Sequence, residues 1–257
     1  MQHALIRCFA GAAALVFVGA TPIIAQTPDV HYVPTPQDVV DRMLELTGPK
    51  PGDYLIDLGS GDGRIPVTAA KRFGIHAHGV DIDPVRITEA ENNAQRAGVQ
   101  DKVKFIRANL FETEIGKADI VTLYLLETLN AKLRPRLLSE LRPGTRVVSH
   151  TFSMGDWTAD KHEKVGGRDV YFWIVPARVE GAWRLQNGER AVELQLKQTY
   201  QNVAATATVD GQPLPIEAVS LRGAELSFRI AGQEYRGKVE GNALVPSGGG
   251  DWRAERI

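Results

Sequence analysis

The chain has 257 residues, 43% of them hydrophobic and 24% charged, with a formal net charge of −1. This length and composition support one sizeable core, leave room for a second small domain and are not typical of disorder. A near-neutral chain has no general positive field, and no run of Lys and Arg is interleaved with aromatic residues, so a nucleic-acid partner is disfavoured.

The first 25 residues have the layout of a secretory signal peptide. Arg7 precedes an uncharged apolar stretch at 9–24, and small residues near its end predict cleavage after Ala25. The protein is therefore expected to be exported, to the periplasm or cell envelope. An uncleaved signal anchor is the alternative, and it would be the protein's membrane attachment. Cys8 is the only cysteine, and cleavage would remove it.

The first helix is predicted to begin at Thr35. Its hydroxyl is placed to cap the helix, Pro36 takes the first helical position and Asp38 lies in the first turn. Gly48 ends the helix.

From residue 54 onward, strand and helix patterns alternate. This alternation predicts a doubly wound, mostly parallel Rossmann-like α/β sheet with helices on both faces. A closing hairpin at 161–165 and 169–176 would complete a domain spanning 30–176. The predicted elements before that hairpin are 54–58, 64–73, 76–81, 84–97, 103–108, 119–125, 130–141 and 146–152.

The segment DLGSGDGR at 57–64 connects the first predicted strand to the following helix. Its glycines are spaced G-x-G-x-G, whereas a dinucleotide-binding loop requires G-x-G-x-x-G, and Arg64 occupies the position of that last glycine. The spacing therefore argues against NAD. Glycines let the backbone approach a ligand closely, and Asp57 at the strand end can hold an ammonium group.

A second acid lies at the expected distance. Asp81 ends the next strand about 20 residues after Gly61, where a carboxylate can accept the hydroxyls of a ribose. An ammonium site and a ribose site together predict S-adenosylmethionine as the cofactor. The alternative is a tight turn at the glycines with Asp81 as a helix cap before Pro84.

Over about 32–176 the chain resembles the class I S-adenosylmethionine-dependent methyltransferases. DLGSGDGR is similar to their first motif, and VDIDP at 80–84 is similar to their second. HYVPTP at 31–36, DGRI at 62–65 and GDW at 155–157 resemble a subgroup of seven-strand protein-lysine methyltransferases related to the enzyme that methylates the ATP synthase c subunit.

The resemblance implies a protein substrate that carries the lysine to be methylated, and it implies a set of cofactor-binding residues. Asn109 lies where many family members have an acid near the adenine amine, and its amide can still accept a hydrogen bond there. The full predicted set is Asp57, Gly59, Ser60, Gly61, Gly63, Asp81, Ile82, Asn109 and Leu110.

In the family, the segment after the fourth strand faces the methyl group, so Tyr124 is the leading catalytic candidate. Its hydroxyl could orient an amine, although a strand-end aromatic can equally pack on a helix. Glu127 is a candidate for steering a cationic substrate, with helix capping as the alternative. Tyr32 is a candidate lid over the cofactor, with an extended packing arm as the alternative. His150 and His162 have no partner at metal-ligand spacing, so no metal is expected.

After residue 178 the helical period disappears and alternation with a period of two begins. Turn signals at regular intervals predict a small antiparallel β domain at 179–257, a barrel or sandwich with no catalytic constellation. Trp183 and Trp252 are predicted to pack in its core.

Two alternatives to lysine methylation remain open at this point. One is a methyltransferase of a small molecule or lipid. The other is an envelope binding protein whose methyltransferase fold has lost its activity. Export also raises the question of how the cofactor, which is made in the cytoplasm, reaches the enzyme. The sequence leaves the oligomeric state undetermined.

Overall fold

The computed structural model describes residues 32–257, so the predicted signal peptide lies outside the described part of the chain. Two sheets organise the protein. The elements of the first are α1 (Gln37–Thr47), β1 (Tyr54–Leu58), α2 (Arg64–Phe73), β2 (His76–Asp81), α3 (Pro84–Ala97), β3 (Val103–Arg107), β4 (Ile120–Leu123), α4 (Glu127–Glu140), β5 (Arg146–His150), β6 (Lys161–Val165) and β7 (Arg168–Ile174).

The first sheet has seven strands in the order β3-β2-β1-β4-β5-β7-β6. Strands β1 to β5 are parallel, whereas β7 is antiparallel to β5 and β6 is antiparallel to β7. The strand order reverses beside β1, and a ligand crevice is expected at this switch point, outside the carboxyl ends of the strands. The predicted doubly wound sheet is confirmed.

Both faces of this sheet are covered because consecutive strand residues point to opposite sides. Leu55 packs in a core formed with helices α1, α2 and α3, and the next residue, Ile56, packs in a core formed with α4. Buried strands with apolar residues on both faces are the expected result for a parallel sheet between two helical layers.

The strands of the second sheet are β8 (Gly181–Asn187), β9 (Arg190–Thr199), β10 (Asn202–Val209), β11 (Gln212–Leu214), β12 (Ile216–Arg222), β13 (Glu225–Ile230), β14 (Gln233–Glu240), β15 (Ala243–Pro246) and β16 (Trp252–Arg256). All nine are antiparallel to their neighbours, in the order β11-β10-β9-β8-β16-β15-β14-β13-β12. Strands β10 and β12 also lie against each other, which nearly closes the sheet into a barrel.

Trp183 and Trp252 are both buried in the core of the second sheet, and β8 pairs with β16. The predicted packing of these two tryptophans is therefore confirmed. The predicted domain limits at 176 and 179 lie in the connection between β7 and β8 and stay a prediction.

Several predicted element ends were wrong, and strands β4 and β7 each end two residues earlier than predicted, at Leu123 and Ile174. Thr35 does not cap α1, because Pro36 occupies the cap position without a side-chain hydrogen bond and the Thr35 hydroxyl lies 3.1 Å from His150 Nδ1 instead. Helix α4 begins at Glu127, three residues earlier than predicted. Strand β5 ends at His150 because Thr151 adopts a left-handed φ of 65°.

None of the helices within residues 32–257 is both long enough and apolar enough to span a bilayer.

Candidate active site

The glycine loop at 59–63 joins β1 to α2 and is fixed to the neighbouring strand β2. The backbone amides of Gly59 and Ser60 donate to the Val80 carbonyl oxygen at 2.8 and 2.9 Å. Gly61 has a φ of 52°, and a Cβ atom there would collide with the ring of Tyr32. The loop therefore lies at the carboxyl end of β1, with the ring of Tyr32 directly on its backbone.

Asp81, at the end of β2, accepts two backbone hydrogen bonds. Its Oδ2 accepts from Gly61 N at 2.8 Å, and its Oδ1 accepts from Asp83 N at 2.9 Å. One carboxylate thus fixes both the tip of the glycine loop and the entry to α3. Asp83 caps α3 itself, since its Oδ1 accepts from Val85 N at 2.8 Å.

Asp57, near the end of β1, is almost completely buried. Its pKa is raised to about 7, chiefly by burial and to a smaller extent by the charges of Asp81 and Asp62, although the hydrogen bond from Thr122 opposes the shift. The Thr122 hydroxyl donates to Asp57 Oδ1 at 2.6 Å. No Lys, Arg or His among residues 32–257 forms an ion pair with Asp57, and a buried carboxylate of this kind is suited to receive a positively charged ligand group.

Arg64 ties the glycine loop to the N-terminal arm at 32–36. Its guanidinium binds both carboxylate oxygens of Asp62, at 2.9 and 2.6 Å, and donates to the Thr35 carbonyl oxygen at 2.8 Å. These contacts hold Asp62 ionised, and they lower its pKa although burial acts in the opposite direction. The arm and the loop consequently form one wall of a common space.

That space is a cavity of about 830 Å³ at the carboxyl ends of β1, β2 and β4. Both acids at the strand ends, Asp57 and Asp81, lie in its lining. The arm and loop wall comprises Tyr32, Val33, Pro34, Thr35, Gly59, Ser60, Gly61, Asp62, Arg64 and Ile65; the remaining walls comprise Ile82, Asp83, Arg86, Ala108, Asn109, Leu110, Phe111, Tyr124, Leu125, Leu126, Leu129 and Phe152.

Tyr124 and Phe152 form the aromatic wall of the cavity, with their ring centroids 6.2 Å apart. The His150 ring packs behind Tyr124 at 3.9 Å, and burial lowers the pKa of His150 to about 4, with a further contribution from Arg168. His150 is therefore neutral at physiological pH and acts as an uncharged support for the Tyr124 ring.

Comparisons with known proteins support a specific family. Residues 57–161 match the model of the ANTKMT methyltransferase domain. A protein-lysine N-methyltransferase of Saccharolobus islandicus is 43% identical over 157 residues, which cover 59% of this chain and 98% of that protein. The mouse lysine N-methyltransferase of the ATP synthase c subunit is 28% identical, covering 80% of this chain and 84% of the mouse protein.

A crystal structure of a Salinibacter ruber protein, described as an RNA methyltransferase in complex with S-adenosyl-L-homocysteine, is 50% identical. It superposes with a TM-score of 0.56 and covers 57% of this chain and 96% of that one. The chain belongs to the class I S-adenosylmethionine-dependent methyltransferases. The predicted family, enzyme class and cofactor are thereby confirmed.

The cavity of this methyltransferase fits S-adenosylmethionine. Asp57, a buried carboxylate in the lining, would hold the ammonium group, and Asp81 would accept the ribose hydroxyls. Gly59 and Gly61 have no side chains, and a Cβ atom at either position would collide with a cavity-lining residue, Leu125 or Tyr32.

All nine predicted cofactor residues lie in or beside this cavity, and eight of them line it. The exception is Gly63, which has a φ of 75° and packs against Phe105 and Ala90 under the loop. Asn109 lines the cavity, but its Oδ1 already accepts from Phe111 N at 3.0 Å and its Nδ2 donates to Glu112 at 2.9 Å. Both polar atoms of the Asn109 side chain thus bond within a local turn.

Two of the three predicted catalytic residues lie in the cavity lining, and the third does not. Tyr124 and Tyr32 line the cavity, with Tyr32 about 40% exposed. Glu127 does not line it; it occupies the first position of α4 and accepts from Ser153 Oγ at 2.5 Å. Its steering role stays a prediction. Phe152 and the supporting His150 were not predicted as site residues, and the available signal was their place at the end of β5 and just after it.

Within residues 32–257, no three His, Cys, Asp or Glu side chains are grouped so that they could bind a metal ion.

Replacing Asp81 by alanine should weaken S-adenosylmethionine binding by about 10- to 100-fold, the effect of losing a charged hydrogen-bond partner. The loop also loses the acceptor that holds Gly61 N. Calorimetric titration measures the effect, and Asp81→Asn, which retains one acceptor oxygen, should fall between Asp81→Ala and the unmodified protein. A dissociation constant for Asp81→Ala within about twofold of the unmodified value would contradict the assignment.

Proposed function

We propose that this methyltransferase methylates the side-chain nitrogen of a lysine in a protein target. The observation that carries the proposal is the composition of the wall around Tyr124. Phe152, Leu126 and Leu129 are apolar neighbours that line the same cavity, and the Tyr124 hydroxyl adds a polar group at the carboxyl end of β4. Two relatives described as protein-lysine N-methyltransferases support the same acceptor.

The apolar wall favours the neutral form of a lysine amine, which is the form that can be methylated. A lysine amine has a reference pKa of about 10.4, and only its neutral form has the lone pair that attacks a methyl carbon. A desolvated channel lowers the pKa of an amine because it disfavours the charged form. The protein therefore promotes the reaction by receiving the amine in neutral form.

Tyr124 then orients the acceptor. Its hydroxyl can accept a hydrogen bond from the amine, and His150 behind the ring limits the positions that the ring can take. Bound S-adenosylmethionine supplies a methyl group on a positively charged sulfur, which is a good leaving group. Alignment of the nucleophile and exclusion of water are accordingly the protein's main contributions.

RNA is a second candidate acceptor because the Salinibacter ruber protein is described as an RNA methyltransferase. The charges around the cavity favour the lysine acceptor. Arg64 and Arg86 line the cavity, yet Arg64 is paired with Asp62, and Arg86 is paired with Glu89 at 2.6 Å. Arginines held by neighbouring carboxylates are poorly available to a phosphate backbone.

We further propose that the enzyme acts outside the cytoplasm, on a target in the cell envelope. The support is the predicted signal peptide at 1–25. Sequencing the N-terminus of the protein purified from its native host tests this: Gln26 as the first residue is expected, and an intact Met1 in the cytoplasmic fraction would refute it.

The acceptor can be tested with radiolabelled S-adenosylmethionine, the full chain and envelope proteins from the native host. Label should appear as methylated lysine after complete acid hydrolysis and should persist after RNase treatment and lipid extraction. Label that RNase releases would identify RNA as the acceptor, and label that is extracted into solvent would identify a lipid or small molecule.

Tyr124→Phe provides the residue-level prediction. Loss of the hydroxyl should lower kcat for lysine methylation by about tenfold or more, because an interaction of about 1.4 kcal/mol with the reacting amine is removed. Binding of S-adenosylmethionine should stay unchanged, which steady-state kinetics and calorimetry together would show. An unchanged kcat would assign Tyr124 a packing role only.

A further inference from the structure

The GDW motif lies in a segment that connects the active site to the second sheet. We define the GDW segment as residues 152–158, which follow β5 and contain Gly155, Asp156 and Trp157. Its first residue, Phe152, lines the cavity beside Tyr124. Its far end lies against the turn between β9 and β10.

Helix α4 holds one side of the GDW segment through a single stripe of side chains. Glu127, Asn130 and Arg134 are spaced by three and four residues, so they project from the same face of the helix. Each binds a different part of the segment. The contacts are Glu127 Oε1 with Ser153 Oγ at 2.5 Å, Asn130 Nδ2 with the carbonyl oxygens of Phe152 and Ser153 at 3.1 Å each, Arg134 Nη1 with the Met154 carbonyl oxygen at 2.7 Å, and an ion pair of Arg134 with Asp156.

Tyr200 and Gln201, in the β9–β10 turn of the second sheet, hold the other side. The Tyr200 hydroxyl donates to Asp156 Oδ2 at 2.9 Å, and its ring stacks on Trp157 with centroids 6.0 Å apart. Gln201 accepts from Trp157 Nε1 at 2.9 Å and donates to the Thr158 carbonyl oxygen at 2.7 Å. The segment is therefore clamped between α4 and a turn of the other sheet.

Tyr200 and Gln201 are the two turn residues of the β9–β10 hairpin, and both have partners in the GDW segment. Tyr200 has a φ of 55°, a left-handed conformation that is unfavourable for a side chain as large as tyrosine and is usually taken by glycine or asparagine. Gln201 binds the Trp157 indole, whose ring is almost completely buried. An unpaired indole N–H at that depth would be costly, so both turn residues have defined partners in the segment.

The second sheet lies beyond the part of the chain that matches the family model, which ends at residue 161. The clamp by Tyr200 and Gln201 is accordingly a feature of this chain outside that match. Its effect reaches the cavity because Phe152 and Asp156 belong to the same short segment, and α4 fixes the residues between them.

We propose that Tyr200 and Gln201 are positioning residues, through which the second sheet fixes the GDW segment. They thereby fix the Phe152 side of the aromatic wall formed with Tyr124, which we call the acceptor wall. The clamp acts on the acceptor side and leaves the glycine loop, to which neither turn residue is bonded, unaffected. Its kinetic part rests on the proposed lysine methylation, whereas its structural part does not.

The test uses the full chain with the double substitution Tyr200→Ala and Gln201→Ala. Hydrogen exchange of the amides in 152–158 should rise about tenfold, since the local opening of the segment loses its restraint. For the lysine acceptor identified above, kcat/KM should fall about tenfold through misalignment of the acceptor wall. Calorimetric binding of S-adenosylhomocysteine should stay within about twofold.

The matched control is Glu189→Ala with Arg190→Ala, two exposed residues at the opposite end of β9. This control should leave exchange, kinetics and cofactor binding unchanged. Tyr200→Phe, which retains the ring and removes only the hydroxyl, should give a smaller increase in exchange than the double substitution and keeps the test usable if the double variant folds poorly.

Two outcomes would overturn the proposal. One is unchanged exchange in 152–158 in both turn variants. The other is an equal increase in exchange at the glycine loop with weaker binding of S-adenosylhomocysteine, which would indicate general destabilisation. If the unmodified protein methylates no lysine, the proposed acceptor is wrong, and the exchange and binding measurements still decide whether the clamp exists.

Discussion

Asp57→Asn is expected to abolish useful S-adenosylmethionine binding while making the ligand-free protein more stable above pH 7. The substitution keeps the shape of the side chain and an oxygen that can accept from Thr122. It removes the charge that would face the ammonium group of the cofactor. Leaving a cation unpaired in a buried site costs about 3 kcal/mol or more, so the dissociation constant should rise at least about 100-fold.

The expected gain in stability follows from the pKa of Asp57. Burial raises it from the ordinary value of 3.8 to about 7, so the folded protein holds this proton to a higher pH than the unfolded chain does. Well below pH 4 the Asp57 carboxyl is protonated in both the folded and the unfolded protein, so it does not lower the free energy of unfolding. Between about pH 4 and 7 the unfolded chain ionises first, and the free energy of unfolding falls as the pH rises.

Above pH 7 the folded protein carries the full cost of the buried charge, roughly 4 kcal/mol for this pKa difference. Asparagine does not titrate, so Asp57→Asn should remove the fall in the free energy of unfolding with rising pH. Urea unfolding at pH 4, 6 and 8 without ligand measures this free energy. Asp101→Asn, the same chemical change on an exposed turn, is the control and should alter neither stability nor binding. Equal stability of the unmodified and Asp57→Asn proteins at pH 8 would show that the site tolerates the charge.

Gly63→Ala is expected to destabilise the protein by roughly 3 kcal/mol, the sum of a left-handed backbone and an overpacked contact. Gly63 precedes α2 with a φ of 75°, and a Cβ atom there would lie 2.5 Å from Phe105 Cζ and 2.7 Å from Ala90 Cβ. Neither neighbour can move freely, because both pack in the core beneath α2 and α3.

Gly74→Ala provides a matched control at the other end of the same helix. Gly74 has a φ of 71°, and the nearest atom to an added Cβ is Lys102 Nζ at 3.5 Å. It should therefore cost only the backbone contribution, about 1 kcal/mol. Chemical denaturation of both variants separates the two effects. Equal losses in the two variants would mean that Phe105 and Ala90 adapt without cost.

The cofactor half of the site could be predicted because its signals are local. The spacing of the glycines, the strand before them and Asp81 about 20 residues later are all visible in the sequence, and the carboxyl ends of adjacent parallel strands meet at one edge. Asp81 does bind Gly61 in the structure. The predicted compartment and signal peptide, in contrast, remain predictions because they concern residues 1–31, outside the described part.

The part of the site around Tyr124 was predicted less well, because residues that are distant in the sequence form it. Thr35 has the composition of a helix cap, but it lies beside His150, 115 residues away, and a local rule cannot anticipate that partner. Glu127 follows the fourth strand as the candidate position requires, yet the helix turns its side chain toward Ser153 and away from the cavity.

The sequence by itself determined the alternating α/β sheet, the glycine loop and the type of cofactor, because strand periodicity, glycine spacing and a strand-end acid act within short stretches of chain. Only the tertiary structure decided that Phe152 joins the predicted Tyr124 in lining the cavity and what fixes the two rings. Tyr124, Phe152, Asp156 and Tyr200 lie on different elements, and their relation depends on how two sheets pack on a shared segment, which is a property of long-range contacts and is absent from local pattern.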